Sequence, residues 1–269
     1  MPAMDSAPAY FLLPTLSLWK REIVRFLRQR NRIVGALATP LVFWLLIGSG
    51  LGPSFRLPSA PQGMRYIEYF FPGTLILIML FTAIFSTISV IEDRREGFLQ
   101  SVLVAPISPG SIVLSKLLGG CSLAVLQAAI FVLLAPTIGI HLSVPIFLRL
   151  FAAFCVVGLG LTGLGFLIAW PMDSTQGFHA IMNVFLVPLW LMSGALFPTP
   201  RSSGWMYWIV RFNPVTYGVA AVRRALYAND PGVADLPSFA FSMGASGLFA
   251  LIMFALAFAM VCRRRKVTG

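Results

Sequence analysis

Residues 69–91 form an unbroken apolar run that reads YFFPGTLILIMLFTAIFSTISVI. The run has no charged side chain, and a helix needs about 20 such residues to cross the roughly 30 Å hydrocarbon core of a membrane. Only helices and closed barrels satisfy their backbone hydrogen bonds in lipid, and the alternation typical of a barrel strand is absent from this run. The run therefore predicts a membrane-spanning helix.

The composition of the whole chain agrees with a membrane protein. Of its 269 residues, 58% are hydrophobic and only 11% are charged, whereas soluble domains carry about 25% charged residues. The mean hydropathy is +0.86. These values exclude a soluble enzyme, a disordered chain and a secreted disulfide scaffold. In such a protein the net charge of +11 indicates membrane topology and contact with lipid, and no nucleic-acid partner is expected.

The length of the apolar runs predicts an all-α integral membrane protein that forms a single domain over residues 1–269. Six spans are predicted, at residues 33–52, 69–91, 111–139, 145–170, 178–198 and 239–262. An even number of spans places both termini on one side of the membrane. Thirteen of the 20 lysines and arginines fall on that side, which is therefore expected to be cytoplasmic.

The predicted spans lack the groups that other membrane functions require. An ion-coupled secondary carrier usually has a charged relay residue deep in a span, and a membrane-embedded enzyme needs converging acid, base or metal-binding groups. Both classes remain alternatives, with the carrier ahead of the enzyme. The sequence contains no G-x-x-x-x-G-K-[ST] motif for nucleotide phosphates. No catalytic, cofactor-binding or metal-binding residue is therefore assigned.

A glycine pattern at Gly158, Gly160 and Gly163 matches G-x-G-x-x-G by letter. A dinucleotide site needs this pattern between a strand and a helix, whereas here it lies inside a predicted span. The expected role of these glycines is close packing of a neighbouring helix.

Residues 12–32 predict a helix of another kind, amphipathic and parallel to the membrane surface. Its apolar side carries Leu12, Leu16, Trp19, Ile23 and Phe26, and its basic side carries Arg21, Arg25, Arg28 and Arg32. Two roles remain open for it. The helix is a simple membrane anchor, or it is a lever that responds to a cytoplasmic partner.

The cytoplasmic loop 92–109 begins with five charged residues in a row. A short apolar stripe and a terminating proline follow: Phe98, Leu99, Val102, Leu103 and Pro106. This segment is too short to span a membrane and too apolar for an ordinary solvated loop. We expect an exposed apolar knob, ringed by charge, that fits a groove in a protein partner.

The external segment 199–238 combines aromatic and basic residues. The pair Asn213-Pro214 is expected to divide it into two short helices, because proline suits the first turn of a helix. Aromatic side chains such as Tyr217 favour the membrane interface. The two helices are therefore predicted to dip into the outer leaflet and return.

Two stretches of the chain resemble the signatures of type 2 ABC exporter permeases. The first is EDRREGFLQSVLVAPISPGSIVLSK at 92–116, and the second is SGALFP at 193–198 followed by RFNPVTYGVAAVRRAL at 211–226. The resemblance covers nearly the whole chain. The amino-acid sequence of the first motif is most similar to that of the multidrug and antibiotic exporter branch.

The resemblance implies a transport subunit that hydrolyses no ATP itself. Two separate ABC ATPase subunits would bind on the cytoplasmic side of the bacterial inner membrane, and they would hold ATP and Mg. A second permease subunit, expected to be an identical copy, would complete the assembly. Residues 12–32 would be the connecting helix, and the loop 92–109 would hold the coupling helix. The implied ATPase-coupling residues are Arg94, Arg95, Glu96, Gly97, Phe98, Leu99, Val102, Leu103 and Pro106.

The resemblance also implies a pathway for a hydrophobic or amphipathic cargo, such as a drug, lipid or glycoconjugate. This pathway would run between two subunits and be lined by the second and fifth spans. The candidate lining residues, chosen by helix position and by polar or polarisable character, are Met79, Phe81, Phe85, Asn183, Leu189 and Met192. Asn213, Pro214 and Tyr217 would belong to the external re-entrant helices.

Overall fold

Long helices make up most of the chain. The computed structural model describes residues 9–50, 65–197, 204–228, 233 and 235–268, and this part contains no β-strand. Its α-helices, in chain order, are α1 (Ala9–Arg28), α2 (Arg30–Gly50), α3 (Tyr66–Ser86), α4 (Ile88–Arg95), α5 (Phe98–Val104), α6 (Pro109–Val132), α7 (Val144–Ala169), α8 (Thr175–Leu191), α9 (Trp205–Phe212), α10 (Pro214–Leu226) and α11 (Phe239–Thr268). The all-α prediction is confirmed for the described residues.

Within the described part of the chain, five helical stretches are long and apolar enough to cross a membrane. They are Ile33–Gly50, Tyr66–Arg95, Pro109–Val132, Val144–Ala169 and Phe239–Arg264, and each coincides with a predicted span. The remaining predicted span, 178–198, corresponds to α8, which has only 17 residues. Since a perpendicular crossing needs about 20 residues, the sixth span stays a prediction.

Three predicted segments end earlier than expected. The span 111–139 is helical only to Val132, and a separate 3-10 turn, Ala135–Ile138, follows with a proline at its start. The span 178–198 loses its helical form after Leu191, with a proline in its last turn, and its residue 198 lies outside the described part. The amphipathic helix predicted over 12–32 ends at Arg28, because Gln29 breaks the helix before α2 begins.

Helix α3 forms the centre of the molecule, buried along almost its whole length against α2, α6, α7 and α10. Pro72 within it has no N–H, so the carbonyl oxygen of Glu68 loses its helical donor. The Tyr227 hydroxyl donates to that oxygen at 2.8 Å. One residue further, the Trp190 indole N–H donates to the carbonyl oxygen of Gly73 at 2.8 Å. The carbonyl group left free by the proline is thus satisfied by a side chain at the end of α10.

The glycines of α7 allow α11 to pack closely. A Cβ added at Gly160 would lie 2.7 Å from the ring of Phe249, and one at Gly163 would lie 2.7 Å from Cβ of Met253. Both distances are too short for real carbon atoms, so only glycine fits without movement of the helices. The packing interpretation of the glycine pattern is confirmed.

Three helices expose broad apolar faces. Leu46 of α2, Val184 of α8 and Leu251 of α11 are each about two-thirds exposed, at 67%, 71% and 68%. Apolar surface of this extent is typical of a protein that contacts lipid or a further subunit.

Candidate functional site

Asp93 lies fully buried near the end of α4 and joins two other helices. From α1, the Arg21 and Arg25 guanidinium groups donate to its Oδ1 at 2.7 and 2.6 Å. From α6, Lys116 Nζ donates to its Oδ2 at 2.5 Å. One carboxylate therefore binds three cations, and this satisfies the rule that a buried charge needs paired partners.

Further carboxylates complete an ion-pair cluster around Asp93. Glu22 of α1 accepts from Lys116 at 2.7 Å, and Arg25 contacts Glu92 at 2.9 Å and Glu96 at 3.2 Å. The ion-pair cluster thus comprises Arg21, Glu22, Arg25, Glu92, Asp93, Glu96 and Lys116. It connects α1, the end of α4 and α6 on one side of the molecule.

Arg21 extends this connection to α5. Burial lowers the pKa of Arg21, but the hydrogen bond to Asp93 and the charges of Asp93, Glu22 and Glu96 together raise this pKa above its ordinary value. The guanidinium also lies over the ring of Phe98, with Cζ 3.7 Å from the ring centre. Arg21 is therefore a permanent cation that contacts both the charged run and the first residue of α5.

The basic face of α1 differs from the sequence-based expectation. Arg21 and Arg25 face the chain's own carboxylates, while Leu12 and Leu16 on the apolar face are 55% and 54% exposed. The first part of the apolar face is thus free to contact lipid, whereas Phe26 at its other end is buried. On the basic face, Arg21 and Arg25 contact carboxylates, and Arg28 is exposed. Periodicity alone cannot distinguish cations that face water from cations that face distant carboxylates.

The two arginines that follow Asp93 hold the turn between α7 and α8. Arg94 donates to the carbonyl oxygens of Trp170 and Met172 and to the Asp173 carboxylate, the last at 3.0 Å. Arg95 donates to the carbonyl oxygen of Asp173 at 2.8 Å. The Arg94 side chain is only 11% exposed, so this predicted coupling residue faces the chain's own turn.

The short helix predicted after the charged run is present as α5. Gly97 precedes it in the left-handed region (φ +75°), a conformation that favours glycine. However, Leu99 and Leu103 are buried, and Val102 packs against the same core. The expectation of an exposed four-residue knob is wrong, because α5 turns its apolar stripe towards α4 and α11.

A different set of side chains faces outward from this segment. We call it the coupling face, and its exposed residues are Arg95, Glu96, Gln100, Ser101, Val104 and Pro106. Val104 is the most exposed apolar residue of the set, at 76%. The coupling face is therefore mostly polar, with Val104 and Pro106 as its exposed apolar residues.

A cavity of about 250 Å³ opens between α1, α2, α3, α4 and α8. Its lining residues are Phe26, Gly35, Thr39, Phe81, Thr82, Phe85, Ile88 and His179. Two of the candidate pathway residues, Phe81 and Phe85, thus meet at one cavity. Because Phe26 also borders a second, smaller pocket together with Glu22, Arg25 and Lys116, the cavity adjoins the ion-pair cluster.

The other pathway candidates lie elsewhere. Met79 is fully buried with its methyl group towards Gly158 of α7, which corrects the expectation that it lines an open pathway. Asn183 is exposed on α8, and Leu189 and Met192 are half-buried. The pathway between two subunits stays a prediction.

The segment 199–238, which the sequence predicts to be external, is divided at the predicted position. Asn213 separates α9 from α10, its side-chain oxygen accepts from the Val215 N–H at 2.9 Å, and its amide donates to the Leu189 carbonyl oxygen at 2.6 Å. The Tyr217 hydroxyl donates to the Arg211 carbonyl oxygen at 2.7 Å. Residues 199–203, 229–232 and 234 lie outside the described part, and entry of the helices into the membrane stays a prediction.

Comparison with known proteins assigns the family. Residues 15–227 match the model described as ABC-2 type transporter. The chain belongs to the ABC-2 type transporter family. This family membership implies a multi-pass membrane protein and partnership with an ABC ATPase subunit.

Relatives of this ABC-2 family chain are named as transport proteins. It is 28% identical over 257 residues to ycf38 of Cyanophora paradoxa, named as a transport permease, covering 92% of this chain and 87% of the relative. It is 23% identical to nodulation protein J of Rhizobium meliloti, covering 93% of each. It is also 23% identical to a Mycobacterium tuberculosis protein named as doxorubicin resistance ABC transporter permease protein DrrC, covering 83% and 80%.

Sequence reasoning did not single out several residues of these sites. Glu22, Asp93 and Lys116 form the core of the ion-pair cluster, and Thr39 and His179 line the cavity. One signal was available, since Glu22 is an acidic residue within the otherwise basic helix α1. The positions of Thr39 and His179 depend on tertiary packing, which no local pattern reveals.

Proposed function

We propose that this chain is the transmembrane subunit of an ATP-driven exporter. It moves a hydrophobic or amphipathic cargo outward across the bacterial cytoplasmic membrane, and a separate ABC ATPase binds ATP and Mg and supplies the energy. Family membership supports the transport role. The observation that carries the mechanism is the ion-pair cluster, which attaches the segment with the coupling face to α1 and α6.

The cluster gives the coupling face several rigid connections. Asp93 ties the end of α4 to α1 and α6, and Arg94 ties the same end to the turn between α7 and α8. A displacement of the coupling face by the ATPase is therefore passed to four helices at once. Such a movement shifts the population between inward-facing and outward-facing arrangements of the spans.

The assembly in this proposal contains two ATPase subunits and a second copy of the chain. The exposed apolar faces of α2 and α8 offer surface for the second copy. The termini and the coupling face lie in the cytoplasm, as the distribution of lysine and arginine indicates. In this arrangement α1 acts as a lever as well as an anchor, because its arginines contact the charged run directly.

The names of the relatives suggest cargoes to try first. One relative is named for doxorubicin resistance, so a drug is the first candidate, and the glycoconjugate that the sequence resemblance implies is the second. Lipid is a third candidate, because the sequence resemblance includes lipid among the cargo classes.

Reconstituted transport tests the proposal. The full chain and its cognate ATPase are placed together in proteoliposomes, and cargo movement is measured with ATP, without ATP, and with an ATPase variant that binds but does not hydrolyse ATP. We expect movement only with hydrolysis by the intact pair. Equal movement by the chain alone, driven by a proton gradient, would show a secondary carrier instead.

A further inference from the structure

The cavity between α1, α2, α3, α4 and α8 has the size of a small ring system. Its volume of about 250 Å³ exceeds the roughly 150 Å³ of an engineered protein cavity that admits benzene. Among its described lining residues there is no Asp, Glu, Lys or Arg. A charged group placed there would lose its hydration without gaining an ionic partner, so the cavity favours an uncharged ligand.

Aromatic rings form one continuous wall of this cavity. The ring centres of Phe81 and Phe85 lie 5.4 Å apart and are tilted by 45°, and those of Phe85 and His179 lie 5.1 Å apart and are tilted by 57°. Aromatic groups attract one another in such tilted arrangements at about 4.5–7 Å. A planar ring in the cavity can extend this series of contacts.

The cavity also lies close to the charged end of the molecule. Along the helical axis, Phe85 precedes Glu92 by about two turns, roughly 10 Å. On α1, Phe26 of the cavity wall directly follows Arg25 of the ion-pair cluster. A molecule with a ring in the cavity therefore has a polar region within reach for the rest of its structure.

We propose that this cavity binds the uncharged aromatic ring of an amphipathic cargo molecule. This inference rests on the proposed export function and names the class of cargo. A ring fits better than an acyl chain, because a flexible chain gains no ring contacts and loses more conformational entropy when it is confined. Phe81, Phe85 and His179 contact the ring, and Phe26 places it beside the helix that carries Arg21 and Arg25.

A glycine on the wall allows the cavity to be filled without a clash. A Cβ added at Gly35 meets none of the described atoms within 4 Å, and the same holds for Gly244 in α11, which does not line the cavity. Because Gly35 lines the cavity, Gly35→Leu adds a bulky side chain at its wall, and Gly244→Leu is its matched control. Both replace a helical glycine by the same residue.

The test is direct binding of an uncharged naphthalene fluorophore to the full chain in phosphatidylcholine nanodiscs, with empty nanodiscs as background. We expect saturable binding that weakens by about tenfold or more in Gly35→Leu and by about threefold to tenfold in Phe85→Leu. Gly244→Leu should bind as the unmodified chain does. No saturable binding, or equal loss in both glycine variants, would overturn the proposal.

Competition decides between ligand classes. Naphthalene should displace the fluorophore better than its saturated analogue decahydronaphthalene, whereas stronger displacement by a fatty acid would contradict a ring site and indicate an acyl-chain site.

Failure of the proposed export function can be distinguished from failure of the ring-binding proposal. If the fluorophore binds as expected but transport needs no ATP hydrolysis, export by this mechanism is wrong, and if transport needs ATP but is unchanged in Gly35→Leu, the cavity is not part of it.

Discussion

At the scale of single residues, Asp93 organises one end of the molecule. Its carboxylate is fully buried, yet three cations lie within 2.7 Å of it. Removing one partner of a buried ion pair leaves the other charges uncompensated, and this usually destabilises more than the pair itself stabilised. The position is therefore much less tolerant than its neighbour Glu96, whose side chain is 59% exposed.

The substitution Asp93→Asn tests this difference. The amide has the same shape but no charge, so Arg21, Arg25 and Lys116 lose their shared counterion. We expect the free energy of unfolding in detergent to fall by about 3 kcal/mol or more. The control Glu96→Gln removes one exposed contact and should change stability by less than about 1 kcal/mol. Similar losses in both variants would mean that the cluster contributes little to stability.

At the scale of helices, the sequence predicted where helices lie in the chain better than it predicted which way their side chains face. The stripe of Leu99 and Leu103 at positions i and i+4 correctly predicted a short helix. The same spacing is compatible with packing inside the chain and with packing against another subunit. It therefore could not show that the stripe packs against α4 and α11. The glycines of α7 were easier to interpret, because a glycine pattern inside an apolar span has few uses other than close packing.

Helix packing at α7 gives a second prediction. A side chain at position 163 collides with Met253, whereas Gly244 on the opposing helix has open space. Gly163→Leu should therefore lower the free energy of unfolding by about 1–3 kcal/mol through overpacking. Gly244→Leu should shift it by no more than about 0.5 kcal/mol. Thermal unfolding of both purified variants makes the comparison, and equal midpoints would refute the close contact between α7 and α11.

At the scale of the whole molecule, apolar run length correctly predicted five helices that are long and apolar enough to span a membrane. It overestimated the fifth predicted span, because the apolar residues after Leu191 belong to a turn rather than to α8. The break at Asn213 was predictable from proline chemistry. The ion-pair cluster and the cavity were not, since they join residues far apart in the chain, such as Arg21 with Asp93 and Phe26 with His179. Local patterns reach only three or four residues along a helix.

Orientation in the membrane can be tested by cysteine labelling. Cys121, Cys155 and Cys262 are replaced by alanine, and single cysteines are introduced at Ser101 in α5 and at Ser143 before α7, both of which are exposed. These positions lie at opposite ends of α6. We expect an impermeant thiol reagent to label position 143 on intact cells and position 101 only after permeabilisation. The reverse pattern would invert the topology.

The central claim is that the coupling face receives the ATPase, and its most direct test is retention of the ATPase during purification. Leu99→Asp is unsuitable, because it would disturb the chain's own core. Val104→Asp changes an apolar residue of the coupling face that is 76% exposed. Val144→Asp is its control, because Val144 lies beyond the other end of α6 and is 74% exposed. With both variants inserted and folded normally, Val104→Asp should reduce the retained cognate ATPase by about tenfold, and Val144→Asp should leave it unchanged. Undiminished retention by Val104→Asp, or equal loss in both variants, would contradict the account.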